Sequence, residues 1–392
     1  MSAEPVLSWN AHVLVAAETT FGTTPDPAGS QAMEFVTCNL GPSELGQIRP
    51  RRDRETGRGM VASYVEGRVQ PIPWSIETSV KSRSAIDALP KEVALYTAAG
   101  LYAAGTVGVS YSFSANNDPI AATAFQGVSI RRALGERLST VYEAEQLRGG
   151  IVKTLTWSGG DKEVTLVAAG VGQGKYHLGY AASITVANNS TTTLTFASAE
   201  ESYRFSPGYY QIENEIILIT SLNYSAGTAV MQRGVLSSTA AAHTAAALMP
   251  YMPAPSVSGS PISEGTTVTC TLDSQTVRVL NWQVVYNTGL DASPGESGSK
   301  YFQSVIQKRY SSQVRLRVLL RREGVSMLGK ATQKKTPLAL TLVQGSATGA
   351  VVTFTWSNME IDPFVVPDTA NDAAIIDLSL RNFGSEFLLT LT

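Results

Sequence analysis

The chain has 392 residues, enough for two or three domains, with 43% hydrophobic and only 16% charged residues. Ordinary soluble domains carry roughly 25% charge, so either the chain is low in charge by accident or much of its surface is covered by further copies of itself. A formal net charge of −2 gives no global attraction to nucleic acid or anionic membrane, and Cys38 and Cys270 form no CxxC or Cys/His cluster, so neither a disulfide framework nor a zinc site is suggested.

The opening MSAEPVLSWN lacks the basic start and apolar run of a secretory signal, and no apolar stretch is long enough to cross a bilayer. The expectation is a chain made and kept in a reducing cytoplasm. Along the chain, period-two alternation dominates. A strand is expected at MEFVTCNL (33–40), then a polar loop (41–62) and a long strand (63–80). Helical spacing appears in SAIDALPKEVALYTAAGL (84–101), broken near Pro90. Strands follow at VSYSFS (109–114) and FQGVSI (125–130), as a pair around YEAEQLRGGIVKTLTW (142–157), and at VTLVAAG (164–170).

Within the polar loop, RPRRDRETGR carries Arg49, Arg51, Arg52, Arg54 and Arg58 beside two acids. One basic loop on a chain of this net charge reads as a solvated or partner-contacting loop rather than a nucleic-acid patch. Further on, Gly170, Gly172 and Gly174 before Lys175 suggest a phosphate loop. The spacing fails, because Ala169 stands where the motif needs Gly and Tyr176 where it needs Ser or Thr. The stretch 170–180 therefore reads as a linker, as does the Pro/Ser-rich 249–261.

Between these borders lies a segment expected to be an inserted β module, 179–253, flanked by portions 1–178 and 254–392. ITVANNSTTTLTF (184–196) reads as two strands around an Asn-Asn-Ser turn. IENEIILIT reads as one strand with Glu213, Glu215 and Ile217 on one face, and AVMQRG as its returning partner. A carboxylate in an apolar row needs a cation, because an unpaired buried charge costs several kcal/mol. Arg233 is the candidate, so Glu215 and Arg233 are expected to form a structural ion pair. His12, His177 and His243 are scattered, and His243 has no neighbour at a metal-ligand spacing. No GxSxG elbow is present, and no catalytic, cofactor or metal residue is assigned.

The last portion repeats the plan of the first: strand (277–287), polar loop (288–300), long strand (302–320), short helix (324–334), then strands at LALTLVQ, VVTFTWSNMEI, IIDLSLRNF and FLLTL. The fold class is mostly β.

AAETTFGTTPDP (16–27), the loop ending GRGMVASYVEGR, and VTFTWSNMEIDP before a final strand pair resemble tail tube (major tail) proteins of long-tailed bacteriophages. RGVLSSTAAAHTA, after an IxxE strand and a Gly turn, is similar to a small β module of tailed-phage structural proteins. The resemblance implies two tandem β-sandwich domains, each with a flanking helix, and a module on the tube exterior. It implies a non-enzymatic virion protein, assembled in the host cytoplasm, whose rings stack into a hollow tube conducting DNA from capsid to host. Partners would be other copies, in trimeric pseudo-hexameric rings, and the tape-measure, terminator and distal tail proteins. Double-stranded DNA would pass without sequence-specific binding, and no membrane or cofactor is expected. The loops 41–62 and 288–300 would reach between rings. A β-rich adhesin or carbohydrate-binding surface protein is the alternative that composition leaves open.

Overall fold

The computed structural model describes residues 12–42, 48–52, 61–66, 70–81, 92–106, 110–115, 125–134, 141, 143–256, 261–262, 268–293, 301–302, 304–319, 329, 337–345, 350–363, 375–382 and 387–391. The fold is mostly β. The first strands are β1 (His12–Ala17), β2 (Ala32–Met33), β3 (Thr37–Leu40), β4 (Ile48–Arg52), β5 (Val61–Glu66) and β6 (Ile72–Ser79). A short helix α1 (Val93–Ala98) precedes β7 (Leu101–Thr106), β8 (Ser110–Ala115), β9 (Val128–Leu134), β10 (Glu143–Gly160), β11 (Thr165–Gly172) and β12 (Gly174–Leu178).

A middle group holds β13 (Ala181–Val186), β14 (Thr193–Thr195), the single turn α2 (Ala199–Ser202), β15 (Gly208–Ile212), β16 (Glu215–Asn223), β17 (Thr228–Gln232) and β18 (His243–Pro250). The last group is β19 (Val268–Leu272), β20 (Gln275–Asn287), β21 (Leu290–Ala292), β22 (Val305–Gln307) and β23 (Ser311–Leu319). It ends with β24 (Leu338–Gln344), β25 (Val352–Ile361), β26 (Ile375–Asn382) and β27 (Leu388–Leu391).

The spine is one long antiparallel sheet in the order β3-β6-β11-β10-β20-β23-β26-β25. Its first four strands have the sequential order first-second-fourth-third, and so do its last four. The two quartets join where β10 pairs with β20, from Thr154↔Asn287 to Gly160↔Asn281. Alternation explains the two faces. Trp74, Ile76, Leu155, Trp157, Val284 and Val314 point into a core, while Thr156, Ser158, Gln283, Gln313 and Arg315 occupy the opposite, polar face.

β10 and β25 each leave the long sheet and continue into a side sheet, and β20 also spans two sheets. One side sheet runs β2-β1-β9-β10-β12; the other runs β20-β19-β24-β25-β27-β8-β7. The bend in β10 is a bulge, with register shifts between Leu147 and Gly150 and between Val152 and Thr154. Gly149 there has φ +58°, and a Cβ on Gly150 would meet the Val128 carbonyl oxygen at 2.5 Å. Both side sheets and the long sheet bury residues in a single core that includes Ile130, Leu340, Phe354 and Leu389.

Several expectations change. The pair of strands expected around 142–157 is one bent strand, because the Gly149–Gly150 bulge turns the chain without ending it. The polar loop 41–62 contains β4, which pairs with β5 as a separate two-stranded ribbon; the long strand 63–80 is therefore two strands, β5 and β6. Likewise β21 and β22 form a ribbon, splitting 302–320 into β22 and β23. The expected linker 170–180 holds β12, paired with β10. In the 84–101 stretch α1 begins at Val93 and ends before Gly100, whose φ of +72° closes the helix, and Leu101 already starts β7. Of the helix expected at 324–334, only Gly329 is described.

The middle group forms its own six-stranded sheet, β13-β18-β15-β16-β17-β14. The strands expected to be a hairpin at 184–196 lie at its two opposite edges. Its core includes Ile212, Ile217, Ile219 and Leu248, but also Leu14, Ala32, Ala133, Val141 and Ala144. These belong to the outer face of the first side sheet and its flanks, so the module is seated on an apolar surface. Replacing residues 181–250 with a short flexible linker is expected to uncover that surface. Size-exclusion chromatography should show aggregation of the shortened chain, and polar substitution of Leu14 and Val141 should reduce it.

Candidate functional site

The two glutamates expected on one strand face are separated by a turn. β15 ends at Ile212, Glu213 and Asn214 form the hairpin turn, and Glu215 opens β16. Glu213 sits at φ +51°, with its side chain largely in solvent, whereas Glu215 is 1% exposed. After β17 the chain enters a loop through Gly234 at φ +59°, and Leu236 and Ser237 also take positive φ. Non-glycine residues hold such angles only where surrounding bonds fix them. Here Val235 N donates to Ile216 O (3.0 Å) and Ile216 N donates to Ser238 Oγ (2.9 Å).

The structure brings Glu215, Arg233, His243 and Glu213 together. Arg233 donates from Nε to Glu215 Oε1 (2.6 Å) and from Nη2 to Oε2 (2.6 Å). Gly234 N (3.0 Å) and Ala241 N (3.1 Å) also donate to this carboxylate, and His243 Nε2 lies 2.8 Å from Oε2. The other ring nitrogen, Nδ1, is 2.9 Å from Glu213 Oε2. Arg233 further donates to the carbonyls of Asn188, Thr191 and Ala241. One guanidinium and one carboxylate thus tie together the 188–191 loop, the β15–β16 hairpin and the 233–243 loop.

Burial alone pushes the Glu215 carboxyl up. The bonds from Arg233, His243 and the backbone of Ala241 and Gly234 outweigh it and hold the group at about 2. A carboxylate accepts at about four lone-pair sites, and these donors fill them. A general base must reach a substrate proton, but Glu215 is sealed and committed to its donors. The sequence pairs Glu215 with Arg233 but does not foresee His243 between two carboxylates, since 28 and 30 residues separate the partners. Among the described residues no group of His, Cys, Asp and Glu is arranged to hold a metal ion.

Arg49, Arg51 and Arg52 lie in β4, opposite Val65, Ser63 and Val61 of β5; Arg54 and Arg58 lie outside the described residues. Lys175, from the failed phosphate-loop pattern, is buried and donates to Gly41 O (2.7 Å) and Glu145 Oε1 (2.8 Å). Glu145 also accepts from Arg132 Nη2 (2.6 Å), whose Nη1 donates to Cys38 O (2.8 Å). A third carboxylate, Glu18, is fully buried and accepts from Ser129 Oγ (2.6 Å), Gly149 N (2.8 Å) and Gly22 N (2.7 Å), pinning the 18–22 turn to the β10 bulge. Burial raises its pKa, opposed by these bonds. Cys38 and Cys270 are buried free thiols, both pushed up to about 12 by burial.

Because the folded Glu215 pKa lies below its usual 4.5, its bonds contribute stability in full above about pH 4.5. That contribution is lost as pH falls towards 2. Thermal unfolding followed from pH 6 to pH 2 should show this loss in the wild type. Glu215→Gln should lower stability at neutral pH by up to ~3 kcal/mol and flatten the acid limb.

No protein-family model matches the chain, and no match was found among curated proteins.

Proposed function

We propose that the chain is a structural subunit that self-assembles into stacked rings forming a hollow tube, as tail tube proteins of long-tailed phages do. The observation that carries this reading is the long sheet, two quartets of the same strand order joined edge to edge through β10 and β20. A seam of this kind within one chain is a template for the seam between chains. Among the described residues β3 ends the sheet with one neighbour, β6. Unpaired sheet edges are a liability in a lone molecule and an assembly surface in a ring.

In this reading each quartet, with its side sheet, is one β-sandwich tube domain, and both domains share a core. Three chains then supply six quartets, giving a trimeric ring with pseudo-sixfold symmetry. The polar face of the long sheet lines the lumen. Its arginines, Arg315, Arg317 and Arg381, stand among Glu77, Asp377 and Ser, Thr and Gln side chains, which gives passing double-stranded DNA no uniform run of phosphate contacts. The module rests on the outer face of a side sheet, across the core from that polar face, which suits the tube exterior. The ribbons β4–β5 and β21–β22 emerge at corresponding places in the two halves, between β3 and β6 and between β20 and β23. They serve as arms between rings. Tape-measure, terminator and distal tail proteins are the further partners, the virion tail is the location, and no catalysis is assigned.

Negative-stain microscopy of the purified protein should show hollow cylinders, and image reconstruction should give three chains per ring with pseudo-sixfold inner density. Soluble monomers at all concentrations, or six identical chains per ring, would count against the reading.

A further inference from the structure

The edge of β3 that no described strand pairs is chemically guarded. Gly41 N donates to Pro73 O (2.8 Å), so the alternation of the antiparallel pair turns Thr37 and Asn39 towards β6 and the backbone groups of Cys38 and Leu40 outward. At the internal seam, the core-facing residues Tyr286 and Val284 of β20 lie opposite Leu155 and Trp157 of β10. Thr288 N donates to Lys153 O (3.0 Å), which sets the phase that turns Tyr286 and Val284 towards β10. Cys38 and Leu40 therefore hold the places that, in the second quartet, are already paired with a strand.

In place of a strand, a side-chain network occupies this edge. Arg132 Nη1 donates to the outward Cys38 carbonyl, whereas Lys175 Nζ donates to the carbonyl of Gly41, a residue on the β6-facing phase opposite Pro73, which has no N–H to offer. Glu145 holds both cations, at 2.6 and 2.8 Å. These cations come from β9 and β12 of the side sheet, so the guard reaches across the sandwich to the open edge. The Arg132 Nε is buried without an acceptor, a cost borne by the side chain that caps Cys38.

Resting on the tube reading, we propose that Arg132, Glu145 and Lys175 form an edge guard, and that its occupant on assembly is an extended strand of a second copy of this chain. The incoming strand runs antiparallel to Cys38–Leu40, as β10 runs to β20, and its backbone takes over the Cys38 carbonyl. The guard keeps the isolated chain soluble and sets the concentration at which it associates.

The test compares wild type with Arg132→Gln by light scattering and sedimentation across a concentration series. One freed acceptor of this kind shifts an association equilibrium about two- to ten-fold, so the variant should associate at correspondingly lower concentration. Equal or weaker association by a variant of wild-type thermal stability would overturn the proposal, as would the absence of association in both. Should the variant fail to fold, hydrogen exchange on the wild type decides. The Cys38 and Leu40 amides should exchange quickly in the soluble chain and become protected in the assembled one; unchanged exchange refutes the guard. Whether the associated material is cylindrical bears on the tube reading alone.

Discussion

Antiparallel pairing between β10 and β20 is the constraint on which the rest depends. It takes the last strand of one quartet and the first of the next and makes them neighbours, so two sheets become one. Everything buried beneath that seam must then fit a common core. Trp157, on the first side, packs its ring against Phe354 and Phe387 on the second, at 5.4 and 5.9 Å between centroids. Gln344, fully buried, accepts from Gly160 N and Trp282 Nε1 and donates to Lys162 O. One amide of the second half thereby pins the β10–β11 turn of the first. β8 adds to the same bond by pairing with β27.

Sheets supply the layers, and buried carboxylates hold the irregular backbone between them. Glu18 fixes a turn to the β10 bulge, Glu215 fixes three module loops, and Glu145 holds the cations that reach β3. Glu18 and Glu215 collect backbone donors from turns with no ladder of their own, whereas Glu145 collects side-chain donors from β9 and β12. An unsatisfied buried donor costs about 1–3 kcal/mol, so such a hub removes several penalties at once. Beside the Glu215 hub, the bonds from Val235 N to Ile216 O and from Ile216 N to Ser238 Oγ brace Leu236 and Ser237 at positive φ.

The period-two rows made most strands legible: Val352, Phe354 and Trp356 are buried as their spacing requires. Interruptions were not legible where a glycine bends a strand rather than ending it, as at Gly149–Gly150. Nor was the turn at Glu213–Asn214, because the apolar positions Ile212, Ile216 and Leu218 keep their spacing through it. The Glu215–Arg233 contact followed from charge in an apolar row, whereas the bonds of His243 depend on a fold that closes a thirty-residue gap. The recurring order of elements is informative where identity is not. TLTWS and TFTWS look like a repeat, yet Trp157 lies in the half of β10 facing β11 and β20, and Trp356 in the half of β25 facing β24. Topology aligns the halves differently from letters.

That topology also distinguishes two kinds of junction. The internal seam has the full β10–β20 ladder, the Gln344 link and the β8–β27 pairing. The hairpin β7–β8 that makes the last of these lies between α1 and β9, and the corresponding interval before β24 holds no described strand. In the ring proposed above, the seams within each chain would therefore be richer than those between chains. The proposed points of opening are the β3 edges, where in the isolated chain the Arg132 guanidinium holds the Cys38 carbonyl that a neighbour's backbone N–H would take over. In the proposed ring, assembly and disassembly would then proceed by whole chains, because the seam the covalent link does not cross lacks the Gln344 link and the β8–β27 pairing.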